Sequence, residues 1–204
     1  MIKNIVFDLG NVIIRWDPNY IISQYTNNPK VHKELLEKIF ASPYWAAYDD
    51  GSLTREEVIR NIQKTTSYKY NTIIVDIVYY WYQHCPMIEG VEDLVKELKK
   101  QGYNLYLLSN TNIHFDEYKD TLSVMKYFDG YYISAKAKLI KPNREIYVDF
   151  LEVFHLQAEE CIFIDDNKQN IKAAKKMGIH GYPFDGNIEA LKNYITDRKI
   201  IFPS

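Results

Sequence analysis

The chain predicts a doubly wound, Rossmann-like α/β protein with a mostly parallel sheet, interrupted early by an all-helical insertion. Three observations carry this. Four short apolar runs each end at polar residues, as strands buried on both faces do. Amphipathic helical patterns alternate with the later runs at the short spacing of strand–helix–strand units. From about residue 17 to residue 85, helical periodicity continues without a convincing strand.

The first run is Ile5–Phe7. The insertion then shows helical patterns at Val31–Phe40, Leu53–Thr65 and Ile73–Tyr82. Thr54-Arg-Glu-Glu57 is a capping box, with Thr54 as N-cap and Glu57 reaching back to it. Tyr79, Tyr80 and Tyr82 read as packing and rim residues. The chain returns to the sheet near Pro86, so residues 1–16 and 86–204 form the α/β core and 17–85 the insertion. Val91–Leu98 is apolar at positions 91, 94, 95 and 98, and Gly102 stops that helix. The second run is Leu105–Leu108 and the third, the weakest, is Tyr131–Ile133. A helix at Arg144–Phe154, the run Ile162–Ile164 and a helix at Asn170–Met177 ending at Gly178 complete the pattern.

A length of 204 residues suits one domain, or one domain carrying a smaller inserted one. A chain of this size removes roughly 70% of its unfolded surface from water. With 47% hydrophobic and 25% charged residues, 8 Gly and 7 Pro, the composition excludes a disordered protein. The formal charge of −2 argues against partners that are nucleic acids or membrane surfaces, which call for a basic excess. Lys99–Lys100, and Lys172 with Lys175–Lys176, sit at helical spacing and read as solvated helix faces. Cys85 and Cys161 form no CxxC pair; Cys161 opens an apolar run and reads as a reduced core residue. No leader pattern and no bilayer-length apolar stretch is present, so a cytoplasmic enzyme or binding protein is expected.

Four polar clusters stand at strand ends or open the following helix. Asp8 directly follows the first strand, at the carboxyl edge where α/β folds place ligands, and Gly10 permits a tight turn there. Ser109-Asn110-Thr111 offers hydroxyl, amide and backbone donors suited to phosphate oxygens. Lys141-Pro142 opens a helix near Asn143 and places a cation. Asp165-Asp166-Asn167, with Asn170 beyond, sets two carboxylates beside Asp8, an arrangement that calls for a cation. Oxygen ligands without His or Cys favour magnesium over zinc. Each cluster also has a plain structural reading as a turn, an N-cap or a solvated lysine. Together they converge on one crevice.

In this order, Asp8-x-Gly-Asn-Val12, Ser109-Asn110, Lys141-Pro142 and Asp165-Asp166-x-x-x-Asn170 resemble the four motifs of haloacid-dehalogenase-like hydrolases. The insertion looks like that family's small α-helical cap, and the likeness covers essentially the whole chain. Phe-Asp-Leu-Gly-Asn-Val is most similar to a subgroup that includes bacterial sugar-phosphate phosphatases, such as the glucose-1-phosphate phosphatase, and the phosphatase domain of soluble epoxide hydrolase. The resemblance implies a Mg²⁺-dependent phosphatase acting on a small-molecule phosphate ester, a sugar phosphate first. It makes Asp8 the nucleophile, with Ser109 and the Asn110 N–H holding phosphoryl oxygens and Lys141 offsetting charge. Metal ligands would be Asp8, Asp166, the Gly10 carbonyl, and Asp165 nearby or through water.

One departure stands out. Family phosphatases usually carry a second Asp two residues after the nucleophile, to protonate the leaving group and later activate water. Gly10 occupies that position, and such acid–base help is typically worth about 10²–10⁴-fold. Asp17, Asp49 and His84 are candidate substitutes, none singled out by the sequence. A 2-haloacid dehalogenase also lacks that Asp, but it binds no magnesium and does not typically keep paired acids like Asp165-Asp166. A retired hydrolase fold kept for binding is the non-enzymatic alternative. Nucleotide-loop, dinucleotide, zinc-protease and nucleophile-elbow motifs are absent, and His32, His84, His114, His155 and His180 lack ligand spacing. Trp45, Tyr44 and Tyr48 are expected either as packing inside the insertion or as lining on its inner face.

Overall fold

The computed structural model describes residues 1–198. Strands β1 (Asn4–Phe7), β2 (Asn104–Ser109), β3 (Gly130–Ile133), β4 (Cys161–Asp165) and β5 (His180–Pro183) form one parallel sheet in the order β3-β2-β1-β4-β5. Strand order reverses at β1, and such a switch point opens a crevice at the carboxyl edge. The four apolar runs are strands β1 to β4. The fifth strand was not expected from sequence: His-Gly-Tyr-Pro has no apolar run, because an edge strand is not buried on both faces.

Register brings the clusters together. Phe7 pairs with Leu107 on one side and Ile164 on the other. The next residue, Asp8, therefore lies level with Leu108 and Asp165. Side chains alternate across the sheet with the period of two that a pleat imposes. Ile5, Phe7, Leu105, Leu107, Ile162 and Ile164 pack on one face, and Val6, Tyr106, Leu108 and Phe163 on the other.

Between β1 and β2 lie α1 (Pro18–Ser23), α2 (Pro29–Lys38), α3 (Pro43–Asp49), α4 (Arg55–Lys64), α5 (Asn71–Tyr80) and α6 (Val91–Lys100). α7 (Phe115–Tyr118) and α8 (Ser134–Ala137) are single turns, and α9 (Arg144–Val153), α10 (Lys168–Lys176) and α11 (Ile188–Thr196) follow. Leu94 and Leu98 of α6, with Leu191 and Ile195 of α11, cover the first face of the sheet; Tyr147 and Phe150 of α9, with Ile171 and Ala174 of α10, cover the second. The core on the first face runs on into the helical insertion through Trp81, Ile77 and Ile62.

The Thr54 capping box forms as expected, with Thr54 N–H donating to Glu57 at 2.9 Å and Glu57 N–H donating to Thr54 Oγ1 at 3.3 Å. α1 and α3, with 6 and 7 residues, are too short for a periodic signal. They are set instead by Asp17-Pro18 and Ser42-Pro43, an N-cap followed by a proline at the first helical position. α11 was likewise not expected. α9 starts at Arg144 behind the N-cap Asn143, so Pro142 precedes the helix. α10 starts at Lys168, two residues ahead of the expected Asn170, because Asn167 caps it. Gly102 and Gly178, at φ +87° and +86°, take the left-handed conformation that ends α6 and α10.

Cys85 and Cys161 are free and buried, and burial pushes both thiols up to about 12. Lys100, Lys172, Lys175 and Lys176 are exposed. Tyr80 is exposed, Tyr79 lies under the Arg55 guanidinium, and Tyr82 stacks on Tyr118. No described helix is long and apolar enough to cross a membrane.

Candidate active site

Asp8 continues the ladder of β1, its N–H donating to the Ile164 carbonyl at 2.9 Å. The chain then turns sharply, with Ile13 and Ile14 N–H both donating to the Leu9 carbonyl. Asn11 takes a left-handed φ of 54°, a conformation Asn tolerates better than most residues. From there its Nδ2 donates to Asp166 Oδ2 at 3.0 Å while its Oδ1 accepts from Trp16 N–H. The loop after β1 is thereby fastened to the loop after β4. The departure and return of the insertion are also joined, Arg15 N–H donating to Pro86 and Ile88 N–H to Ile13.

Lys141 is the electrostatic centre. Its buried Nζ lies 2.9 Å from Asp8 Oδ1 and 2.7 Å from Asp165 Oδ2, and donates to the Leu108 carbonyl at 2.9 Å. Burial opposes its charge, but Asp8 and Asp165 outweigh that and hold it above its usual value. Asp8 is pushed up to about 6, first by burial, with Lys141 opposing and Asp165 adding to the rise. Asp165 is fully buried and amply bonded: Lys141, the Asn170 amide and Asn167 N–H all donate to it. Asp166 is exposed.

Oxygens of Asp8, Asp165 and Asp166 lie within 4.8 Å of one another. A single ammonium against this set leaves net negative charge, and the donors are all hard oxygens, so the arrangement fits a divalent cation such as Mg²⁺. Since Asp165 is saturated with donors, Asp8 and Asp166 are the carboxylates with oxygen lone pairs to offer.

These groups open into a cavity of about 270 Å³. Asp8, Gly10, Ser109, Asn110 and Asp166 all line it. Ser109 is buried at the end of β2. Lys141 stands behind Asp8, outside the lining, and reaches the site through that carboxylate. A Cβ at Gly10 would meet Trp16 Cβ at 3.4 Å, an ordinary contact, so the missing carboxylate is not excluded by space.

Of the three candidate substitutes, Asp49 lines the cavity. Asp17 caps α1 and His84 pairs with the Tyr25 hydroxyl, both away from it. Trp45 lines the cavity. Tyr44 does not, and Tyr48 is buried, its hydroxyl accepting from Arg55 Nε at 3.0 Å. Sequence reasoning missed Trp16, Phe40 and Trp81, which join Trp45 in the lining. Trp16 follows the nucleophile loop closely enough to have been suspected. Phe40 and Trp81 arrive only through the packing of the insertion. The support given by Asn11 was also missed, although Asn in a turn is a signal for left-handed backbone.

The sequence matches the profile of haloacid dehalogenase-like hydrolases over residues 5–182. It is 25% identical over 181 residues to a sesquiterpene phosphatase of Aspergillus oryzae, covering 88% of each chain. It is 24% identical to the D-ribitol-5-phosphate phosphatase of Bacteroides thetaiotaomicron, covering 89% of this chain and 91% of the other. The fold superposes with a TM-score of 0.75 on a haloacid-dehalogenase family enzyme of Bacteroides thetaiotaomicron in complex with magnesium and inorganic phosphate, at 27% identity over 94% of this chain and 99% of that one. With the four clusters gathered at one sheet edge and a match spanning the sheet from β1 to β5, the chain belongs to the haloacid dehalogenase-like hydrolase family.

Proposed function

We propose that the protein is a Mg²⁺-dependent phosphatase that hydrolyses a small phosphorylated metabolite, a sugar phosphate, through an aspartyl-phosphate on Asp8. The observation that carries this is the contact of Asp8 with the buried Lys141, beside Asp165 and Asp166. Relatives named as phosphatases, and a structural neighbour holding magnesium and phosphate, support it.

Asp8, Asp166 and the Gly10 carbonyl would hold the metal, with Asp165 acting through water. Bound there, magnesium supplies positive charge that masks repulsion between carboxylate and phosphate. The residues of the chain do the rest. Asp8 attacks phosphorus while the bond to the leaving oxygen breaks, and that oxygen, with no side-chain acid at Gly10, takes its proton from water. Ser109 Oγ and the Asn110 N–H hold phosphoryl oxygens, and Lys141 keeps Asp8 ionised and oriented. Water then attacks the aspartyl-phosphate and releases phosphate. Phosphoryl transfer asks mainly for such positioning and charge stabilisation, and a carboxylate nucleophile divides hydrolysis into two easier displacements.

The helical insertion, residues 17–85, acts as a cap that excludes bulk water while the phosphoryl group passes to Asp8 and opens to admit the water that releases phosphate. A dehalogenase has no comparable use for Asp166 beside Asp165. A binding role leaves the Asp8–Lys141 pair without a purpose. The test is turnover of a panel of phosphate esters with and without Mg²⁺, beside Asp8→Asn. Metal-dependent release of phosphate that vanishes in the variant, with a phosphoryl mass added to the wild type during turnover, is the expected result. Absence of any hydrolysis with metal present overturns the proposal.

A further inference from the structure

Asp49 is a titratable group in the cavity that the phosphoryl chemistry above does not use. It is the last residue of α3, and Trp45 stands four positions earlier on the same helix face. Both residues line the cavity. The neighbouring Asp50 is occupied elsewhere, its Oδ1 accepting from Ser52 N–H at 2.8 Å.

The backbone at Asp49 is fixed against the core. Its carbonyl accepts from Ser134 Oγ, and that same hydroxyl accepts from Thr111 N–H, directly after Asn110. Two residues on, Gly51 is so closely seated that a Cβ there would stand 2.4 Å from the Ala135 carbonyl oxygen. α3 therefore presents Asp49 from a position set by the phosphate-binding loop itself.

The surroundings of Asp49 select a ligand chemistry. Burial raises its carboxyl most and Asp50 adds to the rise, while a hydrogen bond from the Trp45 indole opposes it; the net effect holds it well above the usual carboxylate range. The indole takes one acceptor site of the carboxyl and no cation is among those neighbours, so its remaining oxygen sites are the ones a ligand hydroxyl in the cavity can meet. The aromatic lining does not suit a cation. Ring centroids of Phe40 and Trp45 are 4.6 Å apart, those of Trp16 and Trp81 4.9 Å, and those of Trp16 and Trp45 5.9 Å. Rings this close touch one another and leave no slot for an ammonium between their faces, as a cage would. They form a wall, on which a neutral group with a C–H face packs. A cavity of about 270 Å³ also keeps that group compact.

We infer that Asp49 is the specificity residue of the insertion, hydrogen-bonded to a hydroxyl of the leaving group, and that this group is a compact neutral polyol or sugar packed on the Trp16–Trp45–Trp81 wall. The inference rests on the phosphatase reading and adds to it the residue that would recognise the leaving group. A site built to bond a hydroxyl discriminates strongly against the analogue that lacks it, because the protein group is then left unpaired.

The test compares kcat/KM of the Mg²⁺-loaded protein for a linear polyol phosphate, the alkyl phosphate of equal length and an aminoalkyl phosphate. Asp49→Leu keeps the shape and removes both oxygens; Asp49→Asn keeps an acceptor and carries the test if the leucine variant fails to fold. The wild type is expected to favour the polyol phosphate. Asp49→Leu should lower the polyol-to-alkyl ratio roughly tenfold or more, mainly through KM, with Asp49→Asn in between. A ratio unchanged in both variants, or a wild-type preference for the aminoalkyl ester, overturns the assignment of Asp49 while the phosphatase reading stands. Failure on all three esters while another ester of the panel is hydrolysed overturns the inference alone; failure on every ester overturns both.

Discussion

Asn110 holds Lys141 by its backbone: Asn110 Oδ1 accepts from Lys141 N–H and Asn110 Nδ2 donates to the Lys141 carbonyl, both at 2.9 Å. The loop after β2 thus sets where the buried ammonium stands, and through it the orientation of Asp8. Asn110→Ala leaves two backbone groups of Lys141 without these partners. That should cost about 1–3 kcal/mol in denaturant unfolding. It should also lower kcat more than KM, because Asp8 loses its fixed geometry. Asn110→Asp retains the acceptor and is expected to fall between. Equal stability of Asn110→Ala and wild type would remove the positioning role.

Replacing Lys141 itself has a larger predicted effect. Lys141→Met preserves length but leaves Asp8 and Asp165 facing each other without the cation between them. Removing one partner of a buried pair typically costs about 3–5 kcal/mol. Phosphatase activity should disappear, and Mg²⁺ should recover part of the lost stability by occupying the same negative field. The thermal midpoint with and without metal measures both effects.

Asp8 gives a pH signature with a definite sign. Its folded pKa of about 6 lies above the ordinary 3.8, so the folded state holds the proton more tightly. The corresponding stability is present below about pH 3.8 and is lost as pH rises through about 6, an effect on the order of 2–3 kcal/mol. Many other carboxylates titrate nearby, so the signature is read as the difference between wild type and Asp8→Asn without metal. Mg²⁺ stabilises the carboxylate and should flatten that difference. The same linkage predicts an acid limb of kcat/KM near pH 6 at limiting Mg²⁺, moving to lower pH as the metal approaches saturation.

The core sheet and four polar clusters were legible because strands buried on both faces read as apolar runs, and ligand residues sit directly at their ends. That rule puts Asp8, Ser109, Asn110 and Asp166 at strand ends, but each alone reads equally as a turn or cap, and only the four clusters together and the family resemblance single them out. The edge strand β5 escaped it, as half-buried His180–Pro183 has no run to read. The aromatic wall escaped for a different reason. Trp16, Phe40 and Trp81 are distant in sequence and meet only through the packing of helices whose mutual angles no periodicity encodes. The Asn110 amide, expected with its N–H as a donor to phosphate oxygens, is instead engaged by the Lys141 backbone, a partner 31 residues away that no local pattern signals.

A cross-tie between the insertion and the core offers a test of cap movement. Arg55 on α4 is nearly buried, and its Nη2 lies 2.7 Å from Glu117 on α7, while its Nε donates to Tyr48. Burial opposes the charge of Arg55, but Tyr48 and Glu117 raise its pKa; Glu117 ends lower than usual despite its own desolvation, through Arg55 and His114. Because Glu117 is half exposed, Glu117→Gln should cost under about 1 kcal/mol of stability. Its effect should appear instead in KM and in faster protease cleavage of the insertion, as the closed position loses one restraint. Unchanged KM and cleavage would show that this pair does not restrain the cap.

Gly10 is the position at which a gain of function can be expected. Its φ is outside the left-handed region, and the space beside it holds only Trp16 within 4 Å. An aspartate is therefore sterically admissible, and its carboxyl would stand two residues from the nucleophile, within the same cavity. Leaving groups that depart poorly as anions benefit most from a proton donor. Gly10→Asp should thus raise kcat for alkyl phosphates by roughly tenfold or more while changing p-nitrophenyl phosphate hydrolysis little. A uniform loss on both substrates would mean that the added charge disturbs Asp8 and the metal before it can serve as an acid. A selective gain on alkyl esters would show that the phosphoryl-transfer site was complete in everything except the proton.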